Sequence, residues 1–317
     1  MVSFIIPHKG REKFLISTLE SILSQNYDHA QYEIILVTQN EAVDLNSDLN
    51  KSSIIKVFKQ PESKTISELR NFGVAQSQGE YLAFLDADIK LKNNWLSCML
   101  STLSAQPTCL LVSAMQINGE NPPQLEQIRT ALSNAEIDCD VNFLPGRNLF
   151  LAKSIFEKVG GFPVHLVTCE DYFFTDQVSK LGSLYYTSDS AYVHLGEDKK
   201  HSEMFKKEIW RGQSNLQSIK GRTIPLREIP SFIIPVVIAF LFVIAIFALL
   251  MGNVAVALST TILLSIPVMI YSLRLYLLAN SKISFGAILK FYLIYFPARA
   301  FGTLGGLFKS ISTSSHK

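Results

Sequence analysis

Residues 67–88 read SELRNFGVAQSQGEYLAFLDAD. A helix opened near residues 63–65 runs through Ser77 and stops at Gly79. The apolar run 81–85 (YLAFL) follows as a buried strand, and Asp86 and Asp88 stand two residues apart where that strand ends. Along an extended segment residues i and i+2 point the same way, so both carboxylates turn to one side around the small Ala87. Two acids held that close repel each other unless a cation lies between them. Mg²⁺ or Mn²⁺ fits the pair, with substrate phosphates supplying further oxygen ligands.

Working outward, residues 2–6 are a short apolar, largely branched run stopped by Pro7, and 33–37 (EIILV) and 53–58 are two more apolar runs. Leu15, Leu19, Ile22 and Leu23 recur at helical spacing, which predicts a helix over 11–25. Strands that are apolar on both faces and alternate with helices make an α/β fold, a mostly parallel sheet flanked by helices. Ligands of such sheets bind at the carboxyl ends of the strands. Three loops therefore matter: Pro7-His8-Lys9, Thr38-Gln39-Asn40 and Asp86-Ala87-Asp88.

The rest of the chain differs in composition. With 29 Lys plus Arg against 27 Asp plus Glu, the net charge of +2 gives no field for coating nucleic acid. Hydrophobic residues make up 48% and mean hydropathy is +0.22, which excludes global disorder. Four scattered cysteines support neither a disulfide framework nor a zinc site. Residues 231–251 and 254–273 carry no charge, and about 20 helical residues span a bilayer's hydrocarbon core. With Gly252-Asn253 between them they read as a transmembrane hairpin. Lys220, Arg222 and Arg227 precede it, Arg274 and Lys282 follow it, and the turn has no cation, so the positive-inside rule puts the 1–228 domain on the cytoplasmic side of the plasma (inner) membrane as part of a multi-pass protein. Residues 281–317, interrupted by Lys290, Pro297 and Arg299, read as an interfacial amphipathic helix with a polar tail touching membrane lipid.

The motifs resemble those of family 2 glycosyltransferases. Residues 67–88 are similar to that family's Arg-Asn-x-Gly helix, Gly-Glu and DxD. VSFIIPHKGR and LESILSQNYDHAQYEIILV look like its opening strand, first helix and second strand. PGRNLFLAKSIFEKVGGF (145–162) resembles its acceptor-side segment, and Glu170-Asp171 its ED pair. The resemblance covers roughly residues 2–212. It implies a GT-A nucleotide-sugar-binding fold followed by an α-helical membrane segment, and transfer of a sugar with inversion from a UDP- or GDP-sugar to a glycan or lipid-linked acceptor.

Inversion needs a base for the acceptor hydroxyl, opposite a leaving diphosphate whose charge is stabilised. The resemblance makes Asp171 the base and Glu170 its companion. Asp88, Asp86 and His194 become the ligands of Mn²⁺ or Mg²⁺. Pro7, His8, Lys9, Thr38, Gln39, Arg70 and Asp86 become donor contacts, and Gly146, Arg147, Trp210 and Arg211 acceptor contacts. The family usually carries an acid after the second strand. Here Thr38-Gln39-Asn40 offers only uncharged groups to a base, so the nucleotide stays open between UDP and GDP. A non-catalytic membrane subunit and a polyprenyl-phosphate glycosyltransferase are the other readings.

Overall fold

The computed structural model describes residues 1–213 and 229–314, with side chains undescribed at 47, 48 and 308–314. Lys220, Arg222 and Arg227, which carry half of the orientation argument, and the expected domain boundary at 228 lie outside the described residues. In chain order the strands are β1 (Val2–His8), β2 (Tyr32–Thr38), β3 (Ile55–Lys59), β4 (Tyr81–Leu85), β5 (Ile89–Leu91), β6 (Cys109–Ile117), β7 (Cys139–Val141), β8 (Asn148–Ala152) and β9 (Ser183–His194). The helices are α1 (Glu12–Leu23), α2 (Ser47–Asn50), α3 (Ile66–Gln76), α4 (Trp95–Ala105), α5 (Gln124–Ser133), α6 (Lys153–Val159), α7 (Glu170–Ser179), α8 (His201–Gly212), α9 (Ile229–Leu250), α10 (Val254–Leu278) and α11 (Phe285–Ser314).

Two compact units result: Met1–Gly119 with Glu136–Glu197, and Glu120–Ala135 with Asp198–Lys317. In the first, among the described residues, nine strands form one mixed sheet ordered β3-β2-β1-β4-β8-β6-β9-β5, with β7 on β9. The half read most directly from the sequence, β3-β2-β1-β4, is parallel throughout. β8 then runs antiparallel between β4 and β6. This reversal sets up the site, because β8 begins where β4 ends: Leu85 is opposite Asn148, and the Asp86 amide donates to the Arg147 carbonyl at 3.2 Å. β5 pairs antiparallel with β9, which puts Ile89 opposite His194.

Each sheet face carries its own core. Phe4, Ile34, Leu36, Trp95 and Phe150 pack with α1 and α4 on one side. Ile5, Ile35, Leu82, Phe84, Phe156, Phe162 and Phe174 pack with α3, α6 and α7 on the other. Burying each such side chain contributes about 1.5–3 kcal/mol. α3 starts with a complete capping box: the Thr65 hydroxyl accepts from the Glu68 amide while the Glu68 carboxylate accepts from the Thr65 amide. Gly73 lets α3 lie against β1, since a Cβ there would sit 2.5 Å from a methyl of Ile5.

In the second unit α9 and α10, of 22 and 25 residues, are the two helices among the described residues that are long and apolar enough to cross a membrane by length and composition. The interfacial helix expected in residues 281–317 is one helix, α11, that continues through Pro297. Its Phe291, Tyr292 and Phe296 are buried with Leu125, Met204, Val268 and Leu275, so this apolar face covers a protein core. Glycines let α11 and α8 touch backbone to backbone. A Cβ on Gly302 would lie 2.4 Å from the Ile209 carbonyl oxygen, and one on Gly306 2.1 Å from that of Gln213.

Candidate active site

Arg70 organises the site. It projects from α3, is 1% exposed, and spends its terminal nitrogens on three groups from three separate segments. Nη2 donates to Asp86 Oδ1 at 2.9 Å and to the Gly146 carbonyl at 3.2 Å, and Nη1 donates to Glu170 Oε1 at 2.9 Å. The guanidinium also lies 4.9 Å from the centre of the Phe162 ring. Arg70, expected as a nucleotide contact, is enclosed by Asp86, Gly146 and Glu170. Burial pulls its pKa down, but the charges of Asp86, Glu170 and Asp171 outweigh that and hold it up.

Gly146 joins the two halves. Its carbonyl accepts from Arg70, and its amide donates to Asp171 Oδ2 at 3.1 Å. A Cβ there would lie 3.1 Å both from Arg70 Nη2 and from the Asp171 Cβ, so a side chain would press on both partners. The other Asp171 oxygen accepts from the Tyr172 amide at 2.9 Å. Both acids open α7, where the helix dipole favours negative charge. The Tyr172 ring, next along α7 from Asp171, stacks on Phe143 with centroids 3.7 Å apart.

Burial raises the Glu170 carboxyl to about 7, with a further push from the charge of Asp171 that Arg70 partly offsets. Between the unfolded value near 4.5 and about 7 the folded protein holds a proton that the unfolded chain has lost. Stability therefore falls as pH rises through that window, by on the order of 3 kcal/mol from this group. Glu170→Gln is expected to flatten the slope, leaving melting unchanged at pH 4.5 and raised at pH 8. Parallel melting curves for the two proteins across that range would refute the assignment.

On the other side of Ala87, Asp88 is 6% exposed and its Oδ1 lies 3.4 Å from His194 Nε2. His194 Nδ1 is 3.1 Å from Glu197 Oε2, which also accepts from Gln116 Nε2 at 3.1 Å. A carboxylate on Nδ1 fixes the ring and leaves Nε2 to ligate. Burial lowers the His194 pKa, but its bonds to Asp88 and Glu197 outweigh that and the net shift is upward. Among the described residues no group of three or more His, Cys, Asp or Glu is spaced to hold a metal. A carboxylate and an imidazole with most positions left open still suit a divalent cation that takes its other oxygens from a diphosphate. Asp86 is committed to Arg70. Glu197 and Gly196 join the site from the structure, and the i, i+3 spacing of His194 and Glu197 on HLGE is the sequence signal for the first of them.

A cleft of about 190 Å³ is lined by Pro7, His8, Lys9, Gly10, Arg11, Ile66, Asp86, Ala87 and Asp88, so the loops after β1 and β4 meet there. The His8 Nδ1 is 3.0 Å from the Thr38 hydroxyl. Its Nε2 is buried and has no hydrogen-bond partner among the described residues, and burial lowers its pKa. Lys9 is exposed and pairs with Glu62. Thr38 and Gln39 are used inside the scaffold: the Thr38 hydroxyl meets His8 and accepts from the Asn40 amide, and Gln39 Nε2 donates to the carbonyls of Pro61 and Lys64 at 2.8 and 2.9 Å. Arg147 also turns inward, donating to the Tyr192 hydroxyl and to Gln116 Oε1, both at 2.9 Å. Trp210 and Arg211 lie on α8 of the second unit. Trp210 is 49% exposed, and Arg211 pairs with Glu208, a buried carboxylate that also holds Arg129 and Arg299.

Residues 3–160 match the glycosyl transferase family 2 model. Glycosyltransferase AglE of Haloferax volcanii is 26% identical over 249 residues, which cover 76% of this chain and 81% of that protein. An uncharacterized glycosyltransferase of Haemophilus influenzae is 26% identical over 224 residues, or 66% of this chain and 85% of its own. Among solved structures, the mannosyltransferase PcManGT from Pyrobaculum calidifontis, in complex with GDP-Man and Mn²⁺, has the same fold over 96% of this chain and 86% of its own, with a TM-score of 0.65 at 14% identity. Through residues 3–160 the chain belongs to glycosyl transferase family 2, and it is a glycosyltransferase of GT-A-like fold that uses a nucleotide-sugar donor.

Proposed function

We propose that the protein is a metal-dependent, inverting glycosyltransferase. In this reading α9 and α10 anchor it in the inner membrane, its catalytic unit faces the cytoplasm, and it moves one sugar from a UDP- or GDP-sugar to a glycan or lipid-linked acceptor. One observation carries the reading: Arg70 and Gly146 tie the acids at the end of β4 to the acids at the start of α7.

Asp171 is the base. Two backbone amides hold its oxygens, and the remaining lone pairs are free to accept an acceptor hydroxyl proton. Glu170 is a positioning residue, acting through Arg70 on the Asp86 loop. Asp88 and His194 hold the divalent cation, whose charge, when bound, stabilises the departing diphosphate. His8 Nε2 is a buried group left over for the donor. The Tyr172–Phe143 stack supplies an apolar face against which an acceptor sugar ring packs.

The long apolar stretches of α9 and α10, uncharged over 229–250 and 254–273, support membrane anchoring, and the cation-free turn between them supports the orientation. The ligands of the structural neighbour set the first compounds to try. Detergent-solubilised full-length protein is expected to melt at higher temperature with Mn²⁺ plus GDP-mannose or a UDP-hexose, and to release the nucleoside diphosphate slowly in water. Asp88→Ala is expected to abolish both responses. Stabilisation by no nucleotide sugar would sink the donor reading, and Asp88→Ala turning over like the parent would sink the metal reading.

A further inference from the structure

Arg11 belongs to none of the roles assigned so far. It follows the loop after β1, immediately before α1, and its backbone is left-handed at φ 46°, ψ 50°, a region that non-glycine residues seldom occupy. That backbone delivers the side chain to Asp88. Nη2 is 2.9 Å from Asp88 Oδ2, while the other oxygen of the same carboxylate faces His194. The pair lies flat on Gly196, where a Cβ would come within 2.0 Å of Asp88 Oδ2 and 2.8 Å of Arg11 Nη1. The Arg11 side chain is 59% exposed and the Asp88 side chain 9%, so the cation can leave while the carboxylate stays. Arg11 also lines the 190 Å³ cleft together with Lys9 and Gly10.

We propose that Arg11 is a stand-in cation: it neutralises Asp88 while the site is empty, gives that carboxylate up to the divalent ion, and then places its guanidinium on the donor's diphosphate. The proposal rests on the reading of Asp88 and His194 as metal ligands. A buried carboxylate without a counter-charge is costly, and the largely exposed arginine at the rim lowers that cost. A guanidinium freed at the rim has the planar fork that binds phosphate oxygens in pairs. Arg11 thus competes with the metal for Asp88 when no donor is present, and assists the donor once metal is in place.

The test is Mn²⁺ titration of the full-length protein followed by electron paramagnetic resonance of the free ion, without nucleotide and then with GDP or UDP. Arg11→Gln is expected to bind Mn²⁺ alone about two- to fivefold more tightly than the parent, the range an exposed ion pair supplies, and to hold the Mn²⁺–nucleotide complex more weakly. Arg11→Gly accommodates the left-handed backbone and is expected to behave the same, which separates competition from misfolding. Arg11→Lys should fall between. Unchanged or weaker Mn²⁺ binding in both Arg11→Gln and Arg11→Gly overturns the proposal, and so does unchanged nucleotide affinity. Asp88→Ala serves to tell the two readings apart. If it abolishes Mn²⁺ binding while the Arg11 variants change nothing, only the Arg11 role fails. If it leaves Mn²⁺ binding intact, the metal assignment fails as well.

Discussion

Asp171→Asn is expected to lower kcat by about 10²–10⁴-fold, the usual contribution of a positioned general base, while donor affinity stays near that of the parent. The amide keeps the shape of the carboxylate but cannot take a proton. It also cannot accept from both backbone amides, since one of its two terminal atoms is itself a donor. Whichever of the Gly146 and Tyr172 amides faces that atom loses its partner, a stability loss of about 1 kcal/mol. The check is single-turnover transfer measured alongside donor-induced thermal stabilisation. A kcat within tenfold of the parent would remove Asp171 as the proposed base. Loss of donor stabilisation in the same proportion would assign it to donor binding instead.

The other large effect is on stability. Arg70→Met replaces the buried guanidinium with a side chain of similar reach and leaves Asp86 and Glu170 without their cation. Breaking a buried pair from one side costs about 3–5 kcal/mol. At about 2–4 °C per kcal/mol for a domain of this size, melting falls by roughly 10 °C. Adding Asp86→Asn and Glu170→Gln to Arg70→Met removes the uncompensated charges and is expected to recover much of that loss without recovering turnover. If the triple variant melts no higher than Arg70→Met, the destabilisation comes from lost packing on Phe162 rather than from stranded charge. Calorimetry of the three proteins decides between the two.

Much of the framework was legible because it depends on short-range pattern. The strand read at residues 81–85 is β4 (Tyr81–Leu85), the helix read at 11–25 is α1 (Glu12–Leu23), and the uncharged runs at 231–251 and 254–273 fall on α9 and α10. The candidate site was legible in kind, since Asp86, Asp88, Glu170 and Asp171 were named from motif order. What each side chain touches was not. Arg70, Thr38 and Gln39 were expected against the nucleotide, yet Arg70 is enclosed by acids and the other two serve the scaffold, because hydrogen-bond partners are fixed by loops distant in sequence. Arg11 stands outside the motif-based assignments for the same reason, since it gains its meaning only beside Asp88.

From its own order, then, the chain determined the alternation of apolar runs and helices, the placing of acids at the end of β4 and the start of α7, and the pair of long apolar helices. Those follow from periodicity and composition, which act over neighbouring residues. Only the tertiary structure decided that β8 runs antiparallel to β4. That reversal lays residues 145–147 against the acid loop, lets Gly146 bond Arg70 with its carbonyl and Asp171 with its amide, and so makes two distant motifs one site. Strand direction depends on how buried surfaces and backbone hydrogen bonds are satisfied across the whole sheet, and no local stretch of sequence carries that information.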